Sequence, residues 1–428
     1  MKMRAKPHVR QVTMTMALVL MLSLIWTFPG LAKVPITMWL SSQPATVTPW
    51  AESFQDNFNK SQNEIELTLE VHPSVTLLRE KLIVAMAAGV APDLFYESNN
   101  VIMQWANSGS AIPLDKYIDN MPDRKDFIPD VLESMRYKGH IYGFPFSVWS
   151  VGDVYNLDLF VNSGVGQVNT WDEMIAAARK IRRENAAGQV EIWGYARSLN
   201  NALYDFIDLE LAMNQLGTTM LPPEATKAQL NNDAGRRALN YIIDAKMAGM
   251  ANTAAASTRL AEGKVAVQHM YAGYSLVNLA EAHKNINFSF RRYVGPEKGR
   301  DMIHFNAGTF MIVSTTKYPD QAWKVLEAFI KPENLKGYIL AHGASLPSRI
   351  SQIYDKDLQS SQYLQELVNT LHAPMTPYGP MHPYYTDVRI PAGELLSKAV
   401  TGESAPQAAL EEAERLINQI IEEKMSIQ

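Results

Sequence analysis

The sequence predicts an α/β protein of two domains, each built on a largely parallel sheet covered by helices. Three observations carry this. Alternating, strand-like runs take turns with segments of helical periodicity. Glycine and proline breakers separate these runs at short intervals. The 396 residues that follow a leader-like segment of 32 also exceed what a single hydrophobic core sustains.

The leader comes first. Lys2, Arg4, Lys6 and Arg10 precede an apolar run over residues 14–29, and Gly30-Leu31-Ala32 supplies the small residues of a signal-peptidase site. A signal peptide over residues 1–32, cleaved near Ala32, is the expectation; a retained N-terminal anchor is the competing reading. The run is short for a bilayer span, and the polar segment after Lys33 has no stop-transfer pattern. With no cysteine in the chain, no disulfide forms and no lipid attaches to a mature N-terminal cysteine. The expected compartment is a bacterial periplasm. Loss of the four basic leader residues takes the formal charge from −5 to −9, against a nucleic-acid partner that would need a basic face. A small-molecule partner and a monomer are expected.

Residues 34–40 read as a first strand, followed by the polar loop Ser41-Ser42-Gln43-Pro44. Trp50, Phe54 and Phe58 then recur at the spacing of one helical face. A second strand alternates over 65–71. A helix spans about 76–88 and stops at Gly89, and a third strand covers 93–96. Ligands sit beyond the carboxyl ends of strands in open α/β sheets, which places Ser41, Ser42, Gln43, Tyr96, Ser98 and Asn99 on one rim. Each alone is also what a solvated turn uses.

After a breaker-rich turn at Pro113-Leu114-Asp115, residues 142–146 are extended because the residue before Pro145 is pushed out of the helical region. Trp149 and Tyr155 follow. Thr170 with Glu173 three residues on is a capping box for a helix to about 185. A second α/β region has helices over 204–216 and 233–248 and strand-like runs over 265–270, 288–293 and 309–313. Further helices are expected over 322–329 and 335–340, and an amphipathic one over 406–423 lies against a domain.

Motifs for catalysis are missing. There is no cysteine nucleophile, no GxSxG elbow, no HExxH zinc helix and no phosphate-binding loop, and the histidines are scattered. No enzyme activity, metal or cofactor is expected. A carbohydrate makes a different demand, since pyranose rings stack their C–H faces on aromatic rings while hydroxyl edges need polar groups. Aromatics next to polar or flexible positions recur at Trp39, Trp149, Tyr155, Trp193-Gly194-Tyr195, Tyr271-Ala272-Gly273-Tyr274 and Tyr384-Tyr385. Core packing is the ordinary reading of each, weakest at Tyr271 and Tyr274, where Gly273 argues for a loop.

These segments, in order, resemble the extracellular solute-binding proteins of carbohydrate-uptake ABC transporters, the family of the maltose- and multiple-sugar-binding proteins. The resemblance rests on Ile36-Thr37-Met38-Trp39, Ala87-Ala88-Gly89-Val90-Ala91-Pro92-Asp93-Leu94, Gly139-His140-Ile141-Tyr142-Gly143-Phe144-Pro145 and Tyr155-Asn156-Leu157-Asp158-Leu159-Phe160. Thr170-Trp171-Asp172-Glu173, Glu262-Gly263-Lys264-Val265-Ala266-Val267, Asn306-Ala307-Gly308-Thr309-Phe310 and Leu346-Pro347-Ser348-Arg349 continue it. Each motif is weak alone; their colinearity is specific.

The resemblance implies a two-lobed periplasmic-binding-protein fold joined by a hinge of several crossings, near 146–150, 300–306 and 344–349. Residues 33–147 and 304–346 would form the N-terminal lobe, and 148–303 and 347–428 the C-terminal lobe. Sugar would bind between the lobes, and the closed form would dock on the membrane permease subunits. Carried over by position, the ligand residues would be Ser41, Ser42, Gln43, Ser98, Asn99, Trp149, Trp193, Tyr195, Tyr271, Gly273, Tyr274, Asn306, Gly308 and Arg349, with an interdomain ion pair as the alternative for Arg349. Two departures stand out: Leu157 follows Asn156 where the family often has lysine, and Trp39-Leu40-Ser41 lacks an acidic or histidine residue. A glycerol-phosphate ester, an oligopeptide or an organic anion is the rival solute, with Arg197, Arg291, Arg292 and Arg349 available to an anion. An extracellular glycoside hydrolase or a receptor-docking sugar sensor are the readings from other classes.

Overall fold

The computed structural model describes residues 32–42, 45–197, 201–252, 255–343, 345–358, 362–372 and 374–427. Residues 1–31 of the expected leader lie outside them, as do Gln43 and Ala344. Eleven strands form one sheet: β1 (Val34–Ser41), β2 (Ile65–His72), β3 (Leu94–Ser98), β4 (Phe144–Asn156), β5 (Tyr195–Arg197), β6 (Met250–Asn252), β7 (Val267–Ala272), β8 (Phe288–Arg291), β9 (Ile303–Ile312), β10 (Leu346–Pro347) and β11 (Met375–Pro377). Among helices of eight or more residues, α1 is Val47–Ser61, α2 Val75–Ala87, α3 Trp171–Ile181, α4 Asn201–Gln215, α5 Asp233–Met247 and α6 Gly273–Ala282. The later ones are α7 (Pro319–Phe329), α8 (Pro332–His342), α9 (Gln362–Thr370), α10 (Tyr385–Thr401) and α11 (Pro406–Ile427).

The sheet order is β6-β5-β7-β4-β9-β3-β1-β2. The outer pairs, β1 with β2 and β3 and β5 with β6 and β7, are parallel, as the strand-helix alternation predicts. The two central strands are long and antiparallel to each other, with Asn306 opposite Trp149 and Gly308 opposite Ser147. They carry the chain from one lobe to the other. At one end β9 pairs with β3, and at the other β4 pairs with β7 and β8. Tyr155 faces both Val267 and Ser289, so β7 and β8 flank opposite edges of β4.

One hydrophobic cluster fills the first lobe and runs past the crossing into the second, which also holds a cluster of its own. The expected helical stripe is α1, whose Trp50 and Phe54 rings stack at 5.5 Å and meet Phe329 of α7 and Tyr338 of α8. In the second lobe α3, α4, α5, α10 and α11 bury Trp171, Phe206, Leu239, Leu396 and Ile417 together. Thr170 Oγ1 accepts from the Glu173 amide at 3.3 Å, and Glu173 accepts from the Asn169 amide at 2.7 Å. The capping box is therefore present, shifted by one residue on its return bond, and the helix ends at Ile181 before a short hairpin.

Two local expectations change. Asn306 to Gly308 is not a loop entering a strand at 309; β9 begins at Ile303, because a crossing strand must pair with both lobes. Gly273 does not mark a loop either. Tyr271 and Ala272 end β7 and Gly273 opens α6 directly.

Candidate functional site

Parallel strands point their carboxyl ends one way, and here the two sets point at each other. β1 and β3 end at Ser41 and Ser98, the latter opposite Gly308, while β5 and β7 end at Arg197 and Ala272, the latter opposite Val151. Between these rims lies the crossing segment of β4 and β9. The loops beyond four strand ends therefore converge on one cleft floor.

Trp149 stands at the centre of that floor. Side chains alternate across a strand, so Trp149 and Val151 share one face of β4 while Val148 and Ser150 share the other. The half-buried Trp149 packs on a buried cluster of Val151, Ile207, Leu211, Met270 and Tyr293, and Leu203 and Tyr204 at the start of α4, Met302, and Tyr378 just after β11 pack on the same cluster. Tyr204 and Tyr378 are aromatics the sequence reading missed. Tyr204 sat inside an expected helix, and nothing local in Pro377-Tyr378-Gly379 revealed that β11 pairs with β9 beside the crossing.

The first-lobe rim carries polar groups with spare bonding capacity. Asn99 is fully buried; its Oδ1 accepts from the Ala307 amide at 3.0 Å, and its Nδ2 has no protein partner. Ser42 is buried with its amide bound to His72 O at 2.9 Å and its Oγ without a partner. Ser41 is also buried. The half-buried Ser98 donates its amide to Glu97 Oε1 at 2.8 Å. Asn306 is half-buried beside Trp149 across the ladder. Gly308 serves the crossing itself, for a Cβ there would lie 2.6 Å from Ser147 Oγ and 3.0 Å from the Tyr96 ring.

On the second-lobe rim, Tyr271 faces Gly152 across a bulge that places Met270 at φ 52°. Gly273 is a packing glycine: a Cβ would meet Leu367 Cδ2 at 2.2 Å and Ser150 O at 3.2 Å. Tyr274 lies in the first turn of α6, and its side chain is outside the description.

Three carried-over positions fall away from the cleft. Trp193 precedes β5, bonds Lys264 O at 2.9 Å and lies under Arg259 at 4.7 Å, so it sits at the amino end of its strand. Tyr195 is buried against His269 at 5.3 Å. Both miss because β5 is only three residues long and its carboxyl end is Arg197. Arg349 is 3% exposed and bonds Asp126 at 3.0 Å, Asp123 at 2.7 Å and Ile330 O at 2.8 Å, above the Phe127 ring. All four partners are first-lobe groups, which answers the expectation of a ligand contact or interdomain pair with an anchor inside one lobe.

Beneath the second-lobe rim is a buried ionic chain. His269 on β7 bonds Asp153 on β4 at 2.7 Å and Asp208 on α4 at 2.8 Å. Arg197 bonds Asp208, and Asp205 at 2.6 Å; Asp205 also accepts from Ser397 of α10 at 2.5 Å. Burial alone would lower the imidazole pKa, but the Asp208 and Asp153 carboxylates raise it to about 9. Burial opposes ionisation of Asp208 too, yet His269 and Arg197 hold it below the ordinary carboxylate range. Burial pushes Asp153 and Asp205 up. The neighbouring His304 is dehydrated to a pKa of about 4 and is neutral. The chain ties the crossing strand to the start of α4, whose Tyr204 packs on the same buried cluster as Trp149.

The lobes touch at the mouth of the cleft. Thr386 Oγ1 bonds Gln104 Oε1 at 2.9 Å, the Lys138 amide donates to Glu224 Oε1 at 3.0 Å, and Met381 packs with Met103 and Tyr137. Lys138 holds φ 46° and Gly139 φ 81°, which turns the hairpin tip so that this amide faces the second lobe.

A family model described as bacterial extracellular solute-binding protein matches residues 41–336. The maltotriose-binding protein of Pyrococcus abyssi is 31% identical over 121 residues, a stretch that is 28% of this chain and 26% of that one. A Brucella abortus chain described as a binding protein is 22% identical over 391 residues, covering 88% of this chain and 91% of its own. Among solved structures, the sugar-binding protein MalE of Xanthomonas citri superposes with a TM-score of 0.77 at 18% identity, covering 92% of this chain and 99% of that one. The cyclic alpha-maltosyl-1,6-maltose binding protein of Arthrobacter globiformis gives 0.74 at 20% identity, covering 91% and 99%. With its two-lobed α/β architecture and a match over more than half its length, the chain belongs to the bacterial extracellular solute-binding protein family.

Proposed function

We propose that the protein binds an uncharged oligosaccharide between its lobes, without turning it over, and delivers it to the membrane permease of an ABC importer. The observation that carries this is the floor of the cleft: Trp149, Tyr204 and Tyr378 pack on one buried cluster at the crossing, and the first-lobe rim holds the unpartnered Asn99 Nδ2 and Ser42 Oγ. Aromatic faces suit pyranose C–H surfaces, and buried donors without partners suit hydroxyls. Ser41, Ser98, Tyr271, Tyr274 and Asn306 complete the proposed site, with Gln43 on the same loop as Ser42. Relatives support the class, since they include a maltotriose-binding protein and a cyclic alpha-maltosyl-1,6-maltose binding protein.

Charge favours a neutral ligand over the phosphate ester. Arg197 is held by Asp205 and Asp208, Arg292 by Asp301 at 2.9 Å, and Arg349 by Asp123 and Asp126. Arg291 lies over the Tyr155 ring at 4.8 Å, and Arg79 spends its guanidinium on the buried Glu97. We place the protein in the periplasm after cleavage near Ala32, as a monomer. The lobe division follows the expected first two crossings, with the third leaving the first lobe after Leu358: Gln352 bonds Pro332 O, and Asp355 and Asp357 bond Lys336 of α8.

A thermal-shift screen of the mature protein against di- to tetrasaccharides, their phosphate esters and peptides, with product analysis of each hit, tests the reading. A melting-temperature rise with a neutral glycan recovered intact is expected. Response only to phosphate esters or peptides, or release of a cleaved sugar, overturns it.

A further inference from the structure

On the face of β4 opposite the Trp149 ring lies a second cavity, of about 210 Å³. Its floor is Val148 and Ser150 of the crossing. One wall belongs to the first lobe, with Ile339 of α8 and Leu346 of β10; the other belongs to the second, with Val277 of α6 and Leu367 of α9. The volume exceeds the roughly 150 Å³ of an apolar cavity that stays dry and takes up benzene.

The polar groups around this space are nearly all committed. Ser150 Oγ is bonded to Thr370 Oγ1 at 2.8 Å, and the Asp357 carboxylate to Lys336 Nζ at 2.6 Å. Apart from Trp149 and Gly343, the remaining lining is aliphatic, with Leu340, Leu358 and Leu364 closing the rim. One polar atom is left over: Ser345 Oγ is buried with no protein partner. A pocket with this largely aliphatic lining disfavours ions and sugars, which would lose hydration to its walls.

We propose that this cavity is a second ligand site, taking an uncharged, one- or two-ring apolar molecule with a single hydrogen-bonding group for Ser345, and that its occupancy tightens solute binding in the cleft. The coupling follows from the walls. A molecule in contact with both lobes binds one hinge angle better than others, and here it fits the arrangement in which Thr386 and Glu224 already join the lobes across the cleft mouth. The effect on the solute rests on the proposed sugar site; the cavity's own ligand does not.

Indole is the probe and benzoate the charged control, added to the mature protein with labelled Leu and Val methyls. Saturable methyl shifts at Val148, Val277 and Leu346 are expected with indole, none with benzoate, and none with indole in V277F and L364F, each of which fills the space from a different helix. Saturating indole should then tighten the glycan identified by the thermal-shift screen about fivefold. Absence of saturable shifts at these methyls, or shifts that persist in both variants, overturns the site. Shifts at the site with an unchanged glycan dissociation constant overturn the coupling. A protein that binds indole there but no glycan refutes the sugar reading and leaves the cavity site standing.

Discussion

Replacing His269 with glutamine removes the cation that joins Asp153 to Asp208, and the consequence should depend on pH in a defined way. The imidazole pKa rises from 6.5 to about 9 on folding. At about 1.4 kcal/mol per pH unit, that difference is worth about 3 kcal/mol. A pKa raised in the folded state gives stability that is fully present below pH 6.5 and is lost as pH climbs through about 9. Glutamine keeps the volume and one hydrogen bond but no charge, so Asp153 and Asp208 face each other with only Arg197 for compensation. Breaking such a buried pair costs about 3 to 5 kcal/mol. Urea unfolding of both proteins from pH 6 to pH 10 reads the effect, and the stability difference should shrink by about 3 kcal/mol across that range. His304, at about 4, titrates below that range, and taking the difference cancels the titration of Glu210, which both proteins share. A difference that stays flat with pH, or an imidazole resonance that titrates near 6.5, would refute the assignment of His269 as a buried cation.

Other outcomes follow from the same geometry. Burial raises the Glu210 carboxyl to about 7 despite bonds from Thr219 and the Met220 amide, so it lowers stability progressively from pH 4.5 to about 7; Glu210→Gln should remove that part of the pH profile, as thermal melts at pH 4.5 and 7.5 would report. Trp149→Ala should weaken the glycan by at least tenfold, about 1.4 kcal/mol, with a smaller change in urea midpoint, because the ring is half-buried at the cleft floor. A collapse of the midpoint would instead make it a core residue. Gly194→Ala places a Cβ 1.9 Å from Ala178 O and should cost about 1 to 3 kcal/mol, measurable by chemical denaturation, since backbone must move to admit it. Glu224→Ala, which removes the acceptor of the Lys138 amide, should weaken glycan binding through a faster off-rate in stopped-flow while leaving the unliganded melting temperature unchanged.

Much of the architecture was legible locally. The parallel outer strands, the α1 stripe and the Thr170 cap are written in short-range period and capping chemistry, which act over three or four residues whatever the rest of the chain does. The rim positions Ser42 and Asn99 and the floor position Trp149 were reachable by combining strand ends with the order of motifs. Trp193, Tyr195 and Arg349 were misplaced because an aromatic or a cation near a strand looks the same at either end of it. Only the register, with β5 ending at Arg197 and Arg349 folded back onto Asp123 and Asp126, decides which end faces the cleft.

By itself, the sequence determined the class of the protein: alternating elements, a length suited to two lobes, and a set of aromatics and small polar residues with no catalytic motif. Tertiary structure alone decided which of those residues meet. Tyr204 and Tyr378 are 174 positions apart, and they pack on the same cluster as Trp149 only because two long antiparallel strands bring both lobes to one crossing. The His269 chain and the cavity behind β4 depend on the same convergence, since their members come from strands and helices with no short-range reason to be neighbours. Periodicity is a property of a few consecutive residues, whereas a site is a property of distances across the fold.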